Sequence, residues 1–362
     1  MKNDFQLSPP NETLVEAIED LDLDREVVSV ATNIALSRLD KILDDYDEMS
    51  QNEIESLAKY FDYDPEWLST FQNKYREQQN ELRYESMAID VFATLKDISA
   101  IDINTGRRIR HSKYEKIASV KKFFGIEKFE SELFINFKND LLKDVAYKQS
   151  YVGKGMINEL SVLAQLKIAD SLANKYFAKA NKFDTSNSQQ LFDELKKFTL
   201  NYDIARFEAD INSITNKYGI IVVFMPNIKG AKHSGLVHWA MDRKYAVINL
   251  TLRGAFEDSM WFSLFHEISH LVVEGKGDFE GFYKDGNSER EKLVNEYTAD
   301  ILIPKNEWIV YVNEGDFTLE TVELFSKKVG IAKSIVVGRL MKEGWIGFDN
   351  PLWKQRPTFK FT

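Results

Sequence analysis

Fourteen residues from Met260 to Val273, MWFSLFHEISHLVV, constrain this chain more tightly than any other stretch. Trp261, Phe262, Leu264, Phe265, Ile268, Leu271, Val272 and Val273 make the run apolar nearly all round, the pattern of a helix buried in a core. Set into it are His266, Glu267 and His270. Histidines at i and i+4 share a helix face, so both imidazoles can reach one metal ion. Glu267 projects about 100° away, beside the open coordination position rather than on it. Two structural histidines beside a paired glutamate would also satisfy such a helix. But the chain has only five histidines (His111, His233, His238, His266, His270), and ionisable groups on an apolar helix need a reason to be there. A metal site is the better reading.

Zero cysteines excludes thiolate ligands, leaving histidine and carboxylate. Zn2+ suits such a set, because a catalytic zinc keeps three protein ligands and one place for water. It lowers that water's pKa to roughly 7, and Glu267 can then take the proton. The helix should stop near Gly275 and Gly277, and no third histidine follows at HExxHxxGxxH spacing. The missing ligand is therefore expected to be a carboxylate on a later helix, within SEREKLVNEYTADILIP. Glu291 and Glu296 compete. Val294, Thr298, Ile301 and Leu302 lie on the side of Glu291, whereas Glu296 points more than about 120° from the apolar centre, so Glu291 is preferred. Asn295 would then support the site from behind. Hydrolysis also develops an oxyanion, and His238 is the first candidate donor to it, ahead of His233 and Tyr297.

Four segments organise the 362 residues. Residues 1–70 read as five short helices, opening at Asn11, Arg25, Ile34, the Ser50/Glu53 capping box and Asp64-Pro65. Residues 71–205 read as helices throughout, a spacer or sensor region whose basic run Arg107, Arg108, Arg110, His111, Lys113 is read first as a solvated turn. Residues 206–312 carry a buried strand, Gly219 to Met225, and a hairpin, Leu236 to Met241 with Tyr245 to Leu250, before the histidine helix. A sheet edge there would hold an extended peptide by main-chain hydrogen bonds. Residues 313–362 form a helix–Gly–helix unit with a basic tail. From Lys327 to the end there are eight Lys/Arg against two acids.

Charge divides the chain unevenly. Residues 1–68 carry 5 Lys/Arg against 18 Asp/Glu, a balance of −13, while the rest carries 42 against 39. DNA affinity comes largely from neutralising phosphates, so DNA binding is doubtful through the acidic first module and better suited to the basic C-terminal segment.

The stretch GLVHWAMDRKYAVINLTLRGAFEDSMWFSLFHEISHLV, with EKLVNEYTADILIP after it, resembles the ImmA/IrrE family of metallo-endopeptidases. ETLVEAIEDLDLDREVVSVATNIALSRLDKIL and LAKYFDYDPEWLSTFQNKYRE resemble a HigA-like XRE helix-turn-helix domain, and VGIAKSIVVGRLMKEG resembles the tail of members that fuse the two. The matches cover most of 11–80 and 215–345. The resemblance implies a zincin-like fold, ligands from HExxH, and a glutamate at the place of Glu291. It also implies site-specific cleavage of a transcriptional repressor, antitoxin or other regulatory protein, in stress-response, mobile-element or toxin–antitoxin circuits. Two departures stand out. Asp24-Arg25-Glu26 replaces the family's Gln and Lys at the second helix, and His238 precedes Trp239 where Arg is frequent.

The expected fold is mostly α, with a small α+β zincin-like domain between a helix-turn-helix bundle, a helical middle and the basic end. No apolar run approaches the ~20 residues that cross a membrane, and no signal-peptide core opens the chain, so a cytoplasmic protein is expected. The expected function is a zinc endopeptidase, with His266, His270 and Glu291 on the metal, Glu267 as general base and a homodimer compatible with it. The alternative is a HigA-like antitoxin or DNA-binding regulator in which the zinc fold is structural or sensory.

Overall fold

A computed structural model describes residues 7–97, 111–143, 145–147, 159–226, 228–231, 235–251, 256–275 and 289–358. The described chain is mostly helical, with one small mixed sheet. It divides into two compact units: Met1–Ser86 with Gly125–Phe134, and Met87–Phe124 with Ile135–Thr362.

The first unit begins with helices α1 (Pro10–Asp20), α2 (Arg25–Thr32), α3 (Leu36–Asp44) and α4 (Gln51–Phe61), and α5 (Pro65–Asp97) enters from it. Asp24 accepts the backbone N–H of Glu26 at the start of α2, and the Ser50/Glu53 capping box forms at α4. Leu14, Ile18, Val28, Leu39, Leu57 and Leu68 close the core. Each such side chain contributes roughly 1.5–3 kcal/mol when fully buried. The fifth helix is not short, as expected, but runs 33 residues. No glycine interrupts it and its one proline stands at its first position, where the ring fits.

Charge in this unit is tied up locally. Arg25 bonds Asp40 and Asp44, and Arg38 bonds Asp47 and Glu53. The Arg38 guanidinium, opposed by partial burial and aided by the Ser50 N–H, holds the Glu53 carboxyl down at about 2 against an ordinary 4.5.

The second unit continues through α6 (Lys113–Phe124), all but the first turn of α7 (Glu132–Lys143), strand β1 (Val145–Tyr147), α8 (Glu159–Phe177), α9 (Ser188–Leu200) and α10 (Phe207–Thr215). Then come β2 (Ile220–Met225), β3 (Gly235–Ala240), β4 (Tyr245–Thr251), α11 (Glu257–Glu274), α12 (Glu289–Leu302), α13 (Lys305–Glu314), α14 (Leu319–Val329) and α15 (Lys333–Lys342). The strands lie in the order β1-β3-β4-β2; β4 is antiparallel to β3 and parallel to β2. Every residue of β2 and β4 is buried, because both faces of the sheet are covered. Alternation sorts the two faces. Ile220, Val222 and Phe224 join the core around α11, whereas Ile221, Val223 and Val247 pack with Ala169 and Ala173 of α8. β1 pairs with the outer edge of β3, so neither strand of the hairpin is at the edge of the sheet.

One core holds this unit's centre. Trp261, Leu264, Phe265 and Ile268 of α11 share it with Leu191 and Phe192 of α9 and with Ile335, Val336 and Leu340 of α15. The boundaries expected at 205/206 and 312/313 therefore do not bound this core. The physical reason is that α11 is apolar nearly all round, and helices from before and after the expected segment are needed to cover it. The helix–Gly–helix unit forms as expected, with Gly330 at φ +75° between α14 and α15. Its second helix is buried on the core side, and much of its charge is engaged: Lys333 with Glu323, Arg339 with Glu343, Arg356 with Asp258.

Two outcomes test this architecture. Gly219 sits at φ +69°, and a Cβ there would strike the Phe183 backbone. Gly219→Ala should cost about 2 kcal/mol or more in a urea titration. Since Glu53 has a depressed folded pKa, its pairing stabilises the fold above pH 4.5 and is lost as pH falls toward about 2. A carboxylate NMR titration should place its midpoint there, and Arg38→Ala should return it toward 4.5.

Candidate metal centre

Helix α11 opens at Glu257, whose buried carboxylate accepts hydrogen bonds from Tyr202 Oη at 2.7 Å and Trp261 Nε1 at 3.3 Å. It ends at Gly275, which adopts φ +62° as its cap. Between these fixed ends the helix presents His266 and His270 one turn apart, both 2% exposed. Their Nε2 atoms stand 3.0 Å apart. From α12, Glu291 reaches the same point: its Oε1 lies 3.3 Å from His270 Nε2 and its Oε2 lies 3.6 Å from His266 Nε2. Among the described residues these three are the only group of histidines and carboxylates that can hold a metal ion.

The separations fit a small tetrahedral ion. Bonds of roughly 2.0–2.1 Å at tetrahedral angles put ligand atoms about 3.3–3.5 Å apart, and the three measured distances bracket that value. Two neutral imidazoles and one carboxylate together are a donor set that zinc enzymes use.

Glu291 turns inward to the histidines, while Glu296 is exposed. Asn295, one turn beyond Glu291, lines a cleft of about 670 Å³ together with Phe262, His266, Glu267, Met341 and Phe348. Glu267 is 3% exposed and is seated against Gly235 at the start of β3, where any Cβ would run into its carboxylate. No motif marks this close approach of Gly235 to Glu267. A second such feature is the salt bridge of Asp258 and Arg356 at 2.9 Å, with Gly338 of α15 packed against the same aspartate. Both pair members line the cleft.

His238 is a correction. It pairs in register with Val247, and directly opposite residues in an antiparallel pair share a face. That face carries α8, and His238 Nε2 lies 2.7 Å from Asp170 Oδ1 on that helix. The sheet separates it from α11, so His238 is not an oxyanion donor to this centre. Tyr297 packs on Phe192 and does not line the cleft; burial raises its phenol pKa. His233 lies outside the described residues, as do Gly277 and the basic residues Arg107, Arg108 and Arg110.

No family model, no curated protein and no solved structure matches this chain.

Purified protein should carry close to one divalent transition-metal ion per chain. His266→Ala, His270→Ala and Glu291→Ala should each weaken binding by more than the roughly 10–100-fold that loss of an outer-shell partner costs. Glu296→Ala should leave it unchanged. Competition against a chromophoric chelator reads all four.

Proposed function

We propose that this chain is a zinc-dependent, site-specific endopeptidase of the cytoplasm that cleaves a regulatory protein such as a transcriptional repressor or antitoxin. The observation that carries the reading is the convergence of His266, His270 and Glu291 beside a buried Glu267 on the wall of an open cleft. The sequence resemblance to the ImmA/IrrE metallo-endopeptidases supports the same assignment and supplies the kind of substrate.

His266, His270 and Glu291 would hold the ion. Bound there, zinc supplies a Lewis acid for the scissile carbonyl and lowers the pKa of water to about 7. Glu267 takes a proton at a carboxylate oxygen and later delivers it to the nitrogen of the departing amine. Gly235 limits where the Glu267 carboxylate can sit, which keeps the proton acceptor at a fixed approach to the cleft. The cleft walls are largely apolar, with Phe262, Met341 and Phe348 beside the catalytic helix, and they give a peptide side chain a surface to bury.

The other reading is a regulator whose metal fold is structural or sensory. It requires no carboxylate beside the ligands, only the ligands themselves, and Glu267 therefore separates the two.

Glu267→Gln should keep the metal content of the native protein and lower cleavage by roughly 10²–10⁴-fold, the range for loss of a general base. Gly235→Ala should likewise spare the metal and reduce kcat, by up to about 100-fold for a displacement near 1 Å. Full biological activity of the Glu267→Gln form would overturn the peptidase reading. The substrate is best trapped on that variant and identified by mass spectrometry.

A further inference from the structure

The first unit has the helix order of a DNA reader but a surface of a different chemistry. In a helix-turn-helix the start of the second helix of the pair meets base edges while the first helix crosses the backbone. Here α3 opens with Leu36 and Ser37, both exposed. The next residue, Arg38, is held by Asp47, Glu53 and the carbonyl of Glu48. Arg25 on α2 is held by Asp40 and Asp44. The arginines of both helices thus already serve carboxylates of the same unit.

Apolar side chains stand where phosphate contacts would be made. Val27 and Val30, one helical turn apart on α2, are 54% and 83% exposed, and Leu21 just before the helix is 62% exposed. Exposed Ala31, Ala35 and Leu36 continue the surface across the turn into α3. Single exposed apolar residues are ordinary; a run across two helices and their turn marks an interaction surface. Asp22, Asp24 and Glu26, all exposed, border it.

We infer that the outer face of α2 and the α2–α3 turn is a docking surface for a basic amphipathic helix of a partner protein. Charge selects among the occupants. Duplex DNA would be repelled by a segment with 5 Lys/Arg against 18 Asp/Glu. A second copy of this chain would bring an identical acidic border against the first. A helix with leucine-like anchors at i, i+3 and i+4 and lysines on its flanks satisfies both the apolar patch and its rim. This inference does not rest on the proposed peptidase chemistry.

The full chain is titrated at about 150 mM salt, where charge alone is largely screened, with three probes. These are a synthetic leucine–lysine peptide ordered with the helical period, its scrambled isomer of the same composition, and a DNA duplex. The ordered peptide should bind at least about tenfold more tightly than the scrambled one. The double variant Val27→Asp, Val30→Asp should bind it at least about tenfold more weakly, although its added charge attracts lysine. Both positions are exposed, and an unchanged melting curve checks that the variant folds. Asp22→Asn with Glu26→Gln should weaken binding and flatten its salt dependence. Equal binding of the two peptides, undiminished binding by the double aspartate variant, or tighter binding of the duplex that is lost in Lys41→Ala would each overturn the inference.

Discussion

Buried polar side chains on a largely apolar helix set the terms for the second unit. A buried charge or imidazole without a partner costs several kcal/mol, so the surroundings of α11 have to answer His266, Glu267 and His270 individually. Glu291 from α12 answers the histidines, and Glu267 opens onto the cleft beside Gly235. The remaining face of α11 demands apolar cover, which comes from the sheet, from α9 and from α15. The same helix therefore drives the packing of the unit and holds both histidines of the candidate centre. A site built this way is rigid, because moving a ligand means moving the core.

The sheet divides that core into two environments. Its α11 face holds Gly235 beside Glu267; its α8 face holds His238 with Asp170 and the buried pair Gln165–Asn249. Neighbouring residues of β3 thus belong to unrelated surroundings, although they are adjacent in sequence. Chain proximity to the histidine helix says little about proximity to the ligands.

Much of this was legible in the residues. The Ser50/Glu53 capping box, the Asp64-Pro65 helix start and the Gly275 cap are local signals, and local chemistry decides them. The inward face of α12 was legible too, since Val294 and Thr298 fix its buried side and Glu291 follows. His238 was not. Alternation reveals the core side of a strand only when the other side is wet, and here both sides are buried, so the period carries no sign. Gly235 and the Asp258–Arg356 pair lay beyond reach for another reason. One depends on a close approach between separate elements, and the other joins residues 98 positions apart. The partners of α11 were not legible for the same reason: a largely apolar helix says that it needs cover, not which distant segments provide it.

The entry to α11 is closed by the far end of the chain. Phe256 forms a bridge with Thr358, the Glu257 N–H donates to the Pro357 carbonyl, and Arg356 lies over the Phe256 ring while bonding Asp258. At roughly 5–20 residues per second, translation needs about 5–20 s to travel from that entry to its closing partner. During synthesis, both histidines and Glu291 therefore emerge before the segment that finishes one wall of the cleft. The last wall of the cleft is thus contributed by residues made well after those it faces.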